Sequence, residues 1–496
     1  MGLNPMTETN WSRLSELIAD RMGLHFPPER WSDLQRGLTG AAEEFGFADV
    51  RLCVDWLLSA PLTKAQFQAL ASHLTIGETY FFREKRTFEV LADSALPELI
   101  RLRRGNGRRL RLWSAACCTG EEAYSLAILL HQVIPDLEDW HVTILATDIN
   151  ERFLRKAAAG VYGEWSFRES PSWFRERYFQ RTGKGQYEIA PEIKKLVTFA
   201  HMNLVEDCYP TLETDTNAMD VIFCRNVLMY FAPSQAATAV CHLRRALVDD
   251  GWLAVSPCEV SQTLFSRFAP ANFPGATLYQ KTNAKVPTAP SWTLPLWSEP
   301  SAVVAPALDM PAWAMSPAVA EEPAPPDVPA TPLAAATSLY QQGRYAQAAE
   351  TLRNSISTRD APNPQAFSLL ARALANQGEL ADASHWCDRW VAADKLDASG
   401  HYLRAVVLQE LGDQEQSRRS LQRAIYLRPD MALAHFALGN LARAGRRNDE
   451  ADKHFTNAAR LLRSCQPDDV LPESDGLTAG RLIEIISSIT ALGTTP

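Results

Sequence analysis

The amino-acid sequence predicts a multidomain chain: an N-terminal all-α bundle, a Rossmann-like α/β domain and a C-terminal all-α solenoid. Three observations lead there. The first apolar residues recur at helical spacing, with no strand-like alternation. Between residues 86 and 283, short apolar runs alternate with amphipathic helical segments. Beyond residue 333, small residues repeat with a period of about 34, the spacing of paired-helix repeats.

At 496 residues the chain exceeds one ordinary core. Apolar residues at 46% and charged residues at 22% are ordinary for a globular protein. The formal charge of -9 argues against a nucleic-acid binder, which needs a basic face. Nine cysteines without a Cys-x-x-Cys pair suggest neither a metal site nor a disulfide framework. Reduced thiols, no signal peptide and no apolar run of membrane length set the expectation of a cytoplasmic protein without membrane insertion.

The N-terminal helical domain is expected over 7–76. Trp11, Leu14, Leu17 and Ile18 share one helical face, as do Leu52, Trp56 and Leu57, with Asp49 and Thr63 as N-caps. The α/β domain is expected over 77–283. Its strands are Leu110 to Ala115, Val142 to Ala146, Val197 to Ala200, Val221 to Phe223 and Trp252 to Ser256. Its helices are Glu121 to Val133, Glu151 to Ala159 and Pro233 to Val248. Such alternation builds a mostly parallel sheet, whose ligands bind beyond the carboxyl ends of its strands.

Residues 284–332 hold a dozen prolines and read as a disordered, semi-stiff linker. Trp292, Trp297 and Trp313 within it serve either local packing or a short partner-binding motif. Over 333–466, Ala336, Ala371, Ala405 and Gly439 mark four registered units, with turn glycines at Gly343, Gly378 and Gly412. This is the tetratricopeptide pattern, in which small residues let paired helices approach closely. An amphipathic segment over 477–492 is expected to cap the solenoid.

Four segments carry chemistry. Leu110 to Ser125 runs strand, loop, helix without the Gly-x-Gly-x-x-Gly of a dinucleotide site. Gly120 lets a ligand approach the backbone, and Glu121 and Glu122 either cap the helix or meet a cationic ligand. Asp148 ends a buried run, where a carboxylate suits a ribose diol or caps the helix from Glu151. Asp220 to Phe231 delivers Arg225, Asn226 and Tyr230 to the same edge. Gly77 to Glu84 joins the first two domains; its Arg83 would hold a carboxylate bidentately, or pair with Glu78 or Glu84.

The strings GETYFFRE, WSAACCTGEEAYSLA, ATDIN, MNLVED and IFCRNVLMYF together resemble the chemotaxis receptor methyltransferase family, the CheR family, over residues 10 to 283. With linker and repeats, the chain resembles the variant of Wsp-type surface-sensing (biofilm) systems. The resemblance implies S-adenosyl-L-methionine as cofactor and methyl transfer to glutamate carboxylates of a methyl-accepting chemoreceptor. By motif it places Gly77, Thr79, Arg83, Glu122, Asp148, Asn203, Leu204, Asn226 and Val227 at the cofactor. Arg83 and Tyr230 stand at catalytic positions. Gly77 replaces a common Asn, and Ser256 to Glu259 replaces a common Gly-His-Ser-Glu. The segment after Phe179 is short beside members that grip a receptor's terminal pentapeptide, so the repeats are expected to dock the receptor or another protein partner. Two rival readings share the fold: a methyltransferase for another substrate, and a non-catalytic scaffold that binds the cofactor.

Overall fold

The computed structural model describes residues 8–105, 107–170, 172–282, 331–357, 363–474 and 476–493. The predicted linker, with Trp292, Trp297 and Trp313, lies outside the described residues as far as residue 330; Pro332 already opens the first repeat helix.

Helices α1 (Glu8–Met22), α2 (Trp31–Glu44), α3 (Val50–Leu57) and α4 (Lys64–Leu74) form the N-terminal bundle. Asp49 caps α3 by accepting from Arg51 N, and Thr63 and Gln66 form a capping box on α4. Leu14, Ile18, Leu34, Leu38, Val54 and Leu70 fill its core. Leu52 departs from expectation: it is exposed, whereas Leu57 is buried as expected, together with Cys53 and Val54.

The α/β domain opens with α5 (Lys85–Val90) and α6 (Leu96–Arg104). Then come β1 (Arg109–Ala115), α7 (Glu121–Val133), β2 (His141–Asp148) and α8 (Glu151–Ala159). A small excursion follows: β3 (Val161–Tyr162), α9 (Ser172–Tyr178), β4 (Phe179–Arg181), β5 (Tyr187–Ile189) and α10 (Pro191–Lys194). The main sheet resumes with β6 (Val197–His201), β7 (Met219–Cys224), α11 (Pro233–Ala246), β8 (Leu247–Ala254), β9 (Phe268–Phe273) and β10 (Ala276–Lys281). The seven-stranded order is β6-β2-β1-β7-β8-β10-β9. β6, β2, β1, β7 and β8 run parallel, and β10 and β9 add antiparallel strands. The five expected strands are all present. The β9–β10 hairpin and the three-stranded sheet β3-β5-β4 go beyond the expectation.

The repeats are four helix pairs: α12 (Pro332–Gln341) with α13 (Tyr345–Ser357), α14 (Pro364–Ala375) with α15 (Leu380–Ala393), α16 (Ala398–Glu410) with α17 (Gln414–Leu427), and α18 (Ala432–Ala444) with α19 (Asn448–Leu462). A Cβ on Gly439 would lie 2.5 Å from the Phe455 ring, so only glycine allows that crossing. The last helix, α20 (Ala479–Gly493), packs against α19 at the solenoid end and also reaches β6.

The solenoid is not held away from the sheet domain. Trp113, Leu243, Leu247 and Tyr279 share one continuous core with Tyr345, Phe367, Leu374 and Tyr402. At the rim of this contact, Glu410 of α16 receives Arg111 Nη1 at 2.9 Å and also pairs with Arg109. Arg111 is 3% exposed and Glu410 12%, so the pair sits in low dielectric. Among the described residues, no helix is long and apolar enough to cross a membrane.

Candidate active site

A cleft of about 280 Å³ opens at the carboxyl ends of β1, β2, β6 and β7. Such sheets place their ligands there, because the loops leaving parallel strands diverge above the core. Thr79, Arg83, Glu122, Asp148, Asn203, Leu204, Asn226, Val227 and Tyr230 all line it. Gly77 does not. A Cβ on Gly77 would come within 2.8 Å of the Phe153 ring, and Phe153 itself lines the cleft.

The segment 77–84 is pinned by its aromatics. Phe81 is fully buried, with ring centroids 5.0 Å from Tyr162, 5.1 Å from Phe167 and 5.0 Å from Phe179. Tyr162 of β3 and Phe179 of β4 come from the small three-stranded sheet and Phe167 from the turn after β3, so this excursion holds the strap. Phe81 N donates to Ser166 O and Phe82 N to Ser125 Oγ. Arg83 Nη1 donates to the Glu78 carbonyl at 2.6 Å. The carboxylates of Glu78 and Glu84 are taken by Arg168 and Arg225.

Backbone strain gathers here. Phe82, Glu84, Ala116, Cys118 and Asn226 all have φ between 50° and 64°. Each non-glycine residue in that region costs on the order of 1–3 kcal/mol and persists only where its surroundings over-determine it. Glu259 supplies one such constraint. Its carboxylate, buried, accepts Asn226 N and Val227 N at 2.8 Å, Ser256 N at 3.1 Å and Met229 N at 3.2 Å.

The two carboxylates that open α7 part company. Glu121 turns away from the cleft, accepting from Thr119 Oγ1 at 2.6 Å and Ser166 Oγ at 2.9 Å. Glu122 faces the cleft, bonded to Ser114 Oγ at 2.7 Å and Arg225 Nη1 at 3.2 Å. Burial raises its pKa, with Arg225 opposing. Gly120 also has a different task from the expected one: a Cβ there would meet Ala157 of α8 at 2.8 Å, so it permits helix packing rather than ligand approach.

Asp148 ends β2 at 6% exposure. Its Oδ2 accepts Cys118 N and its Oδ1 accepts Asn150 N, each at 2.9 Å. Burial pushes its pKa up to about 6 against those hydrogen bonds. Asn150, not Asp148, caps α8, accepting from Arg152 N and Phe153 N. Asn203 Nδ2 donates to Arg21 O at 2.8 Å and Glu206 Oε1 at 3.1 Å.

Sequence reasoning missed two contributors and the partners of a third. The N-terminal bundle forms one wall through Met22, Leu24, His25, Phe26 and Arg30, fastened by His25 N to Tyr230 O at 2.7 Å and Ala232 N to Gly23 O at 2.9 Å. No local pattern announces that wall. Arg225 was expected at the pocket edge, but not its partners: a basic residue at a buried strand end needs acidic groups, here Glu84 and Glu122. Glu259 stood in a string noticed only for its difference.

The donor set fits S-adenosylmethionine. Each Asp148 oxygen keeps a second lone pair for a ribose hydroxyl. Glu122 offers negative charge for an ammonium group. Ile149, Phe153, Met202 and Leu204 offer apolar walls for a base. The Glu122 and Asp148 carboxylates at the cleft would repel a phosphate.

Comparison with known proteins agrees. The profile of the CheR methyltransferase SAM-binding domain matches residues 77–272, and tetratricopeptide profiles match 339–407 and 402–461. The chain is 30% identical over 377 residues to a probable biofilm formation methyltransferase, WspC, of Pseudomonas aeruginosa, covering 75% of this chain and 81% of that one. It is 30% identical over 276 residues to chemotaxis protein methyltransferase 2 of Vibrio cholerae, covering 56% and 94%. A probable chemotaxis protein methyltransferase of Rhizobium etli is 37% identical over 178 residues, covering 35% and 64%. Match lengths, cleft position and donor chemistry converge: the chain belongs to the CheR family of S-adenosylmethionine-dependent methyltransferases and carries a C-terminal tetratricopeptide array.

Proposed function

We propose that the chain esterifies glutamate side chains of a methyl-accepting chemoreceptor, with Arg83 holding the acceptor carboxylate. One observation carries this reading. Among the cations lining the cleft, Arg225 is neutralised by Glu84 and Glu122, and Arg30 pairs with Asp33. Arg83, by contrast, meets a backbone carbonyl and no carboxylate among the described residues. A guanidinium held this way is suited to a planar anion.

When bound, S-adenosylmethionine supplies an electrophilic sulfonium methyl group. The chain's own residues then have three tasks. Asp148, Glu122, Asn203, Leu204, Asn226, Val227 and Thr79 would hold the cofactor. Arg83 would aim an acceptor oxygen along the line of displacement. Tyr230, fixed by the His25 bond to its carbonyl, would hydrogen-bond beside that line. A glutamate with a pKa of about 4.3 is already ionised at neutral pH, so no residue has to remove a proton. Alignment therefore does most of the catalysis, and well-aligned reactants lower a barrier by roughly 7 kcal/mol or more.

The tetratricopeptide array supports a docking role. A groove of about 480 Å³ runs between α12, α14 and the start of α16, lined by Leu333, Thr337, Ser368, Leu369 and Trp390. A protein segment of mixed polarity fits it. Because the array packs on the catalytic domain, such a partner would be held at a set distance from the cleft rather than on a loose tether.

Arg83→Ala tests the reading. It should abolish transfer to receptor while leaving affinity for S-adenosylhomocysteine within about threefold, since only the acceptor contact is lost. Full transfer activity in that variant would remove Arg83 from the chemistry.

A further inference from the structure

The loop that follows β6 carries Met202, Asn203 and Leu204 into the cleft. β6 is an edge strand, hydrogen-bonded only to β2, so the sheet supports this loop on one side alone. Its other flank is covered by α20, a helix nearly three hundred residues later.

The contact is specific. Arg481 of α20 is 7% exposed. Its Nη2 donates to the carbonyl of His201, the last residue of β6, at 3.2 Å, and its Nη1 lies 3.3 Å from His201 Nδ1. Its Nε lies 3.4 Å from Glu206 Oε2, and Nη1 donates to Glu484 at 2.7 Å. The other Glu206 oxygen receives Asn203 Nδ2 at 3.1 Å. One guanidinium thus reaches both ends of the loop 202–205, and Glu206, with the Arg21 carbonyl, fixes the amide of Asn203. The same helix touches the N-terminal bundle, where Lys64 Nζ of α4 donates to the Glu484 carbonyl at 3.1 Å; Gln68 of α4 meets His201 Nε2 of β6 at 2.7 Å. Burial, then the Arg481 charge, lowers the His201 pKa to about 3, so the ring is neutral and can accept from the guanidinium.

We propose that Arg481 is a positioning residue for the cofactor: the helix that ends the repeat array completes the cofactor site by clamping the loop 202–206 through His201 and Glu206. It touches no reacting atom. Its effect is on how well the loop is shaped for the nucleoside, so cofactor affinity depends on an element outside the methyltransferase domain. This rests on the reading that Asn203 and Leu204 contact the cofactor.

The test uses the full-length chain and titration calorimetry with S-adenosylhomocysteine. Arg481→Gln should raise Kd about tenfold, the worth of one charge-assisted hydrogen bond network. The KM for S-adenosylmethionine should rise with it, while kcat at saturating cofactor stays within about twofold. Arg481→Lys keeps the charge beside Glu206 and should recover part of the affinity. Glu206→Gln should raise Kd in the same direction, and it keeps the test open where the arginine variants fold poorly. A variant that only loosened the fold would lower the melting temperature and leave the Kd of the folded protein alone. Wild-type Kd in folded Arg481→Gln, with Asn203→Ala clearly weakened, would overturn the clamp and keep the loop in the site. Wild-type Kd in Asn203→Ala as well would remove the loop from the site, and the clamp with it.

Discussion

Cofactor affinity should fall as pH drops through about 6, because the ribose subsite is a buried carboxyl. The Asp148 oxygens already accept two backbone N–H groups, and only the ionised form has lone pairs for two more hydroxyl donors. With a pKa of about 6, the group is about 99% ionised at pH 8 and about 9% at pH 5, so affinity should drop about elevenfold between them. Glu122, also raised by burial, shifts in the same direction. For folding the sign is opposite. The raised pKa means that the fold favours the protonated acid, so this contribution to stability is full below 3.8 and lost as pH rises through about 6. Titration calorimetry with S-adenosylhomocysteine from about pH 5 to 8 separates the two, since it reports binding alone. Asp148→Asn supplies the control. An amide replaces one acceptor with a donor, so one of the Cys118 and Asn150 N–H groups loses its partner. Affinity at pH 8 should fall roughly 10- to 100-fold, and the pH dependence should flatten. An affinity constant across this range in the wild-type protein would refute the reasoning.

Other substitutions probe the supports around the cleft. Glu259→Gln presents one carbonyl oxygen where four N–H groups converge, so the turn at Asn226 should relax; transfer activity is expected to fall about tenfold or more in a steady-state assay, with little change in secondary structure by circular dichroism. Glu410→Ala strands the buried Arg111 beside Asp215 alone and should destabilise the chain by about 3 kcal/mol in urea titration; a change under about 0.5 kcal/mol would mean that the interdomain pair is screened by water. Cutting the chain after residue 282 opens the core that the two domains share, and removes Tyr345 from Lys281 and Glu410 from Arg111; the fragment is expected to aggregate on size exclusion rather than behave as a free enzyme.

Much of this architecture is legible in the sequence, for identifiable reasons. The boundaries of α7 and α8 follow from Gly120 and Gly160, both at positive φ, and from the Asn150 cap. The central strands show as apolar stretches, such as Val221 to Phe223 of β7, because both faces are buried. The repeats show through their crossing residues, where Gly439 meets Phe455. What escaped was non-local. Strands of two or three residues, such as Val161–Tyr162, have no period to detect. The β9 strand contains Pro270, which argues against a strand except at an edge, where it lies. Spacing placed Glu121 and Glu122 together, and only the fold turns one toward Ser166 and the other toward Arg225. Nothing near Arg481 announces that its partners are His201 and Glu206.

The most direct measurement is mass-spectrometric mapping after the full-length protein, S-adenosylmethionine and a methyl-accepting receptor's cytoplasmic domain are incubated together. Glutamate side chains should gain the mass of a methylene, lose it in mild alkali, and gain none when Arg83→Ala replaces the wild-type enzyme. Methyl groups found instead on nitrogen or sulfur and stable to alkali, or a receptor left unmodified by an enzyme that binds its cofactor, would contradict glutamate esterification in this cleft.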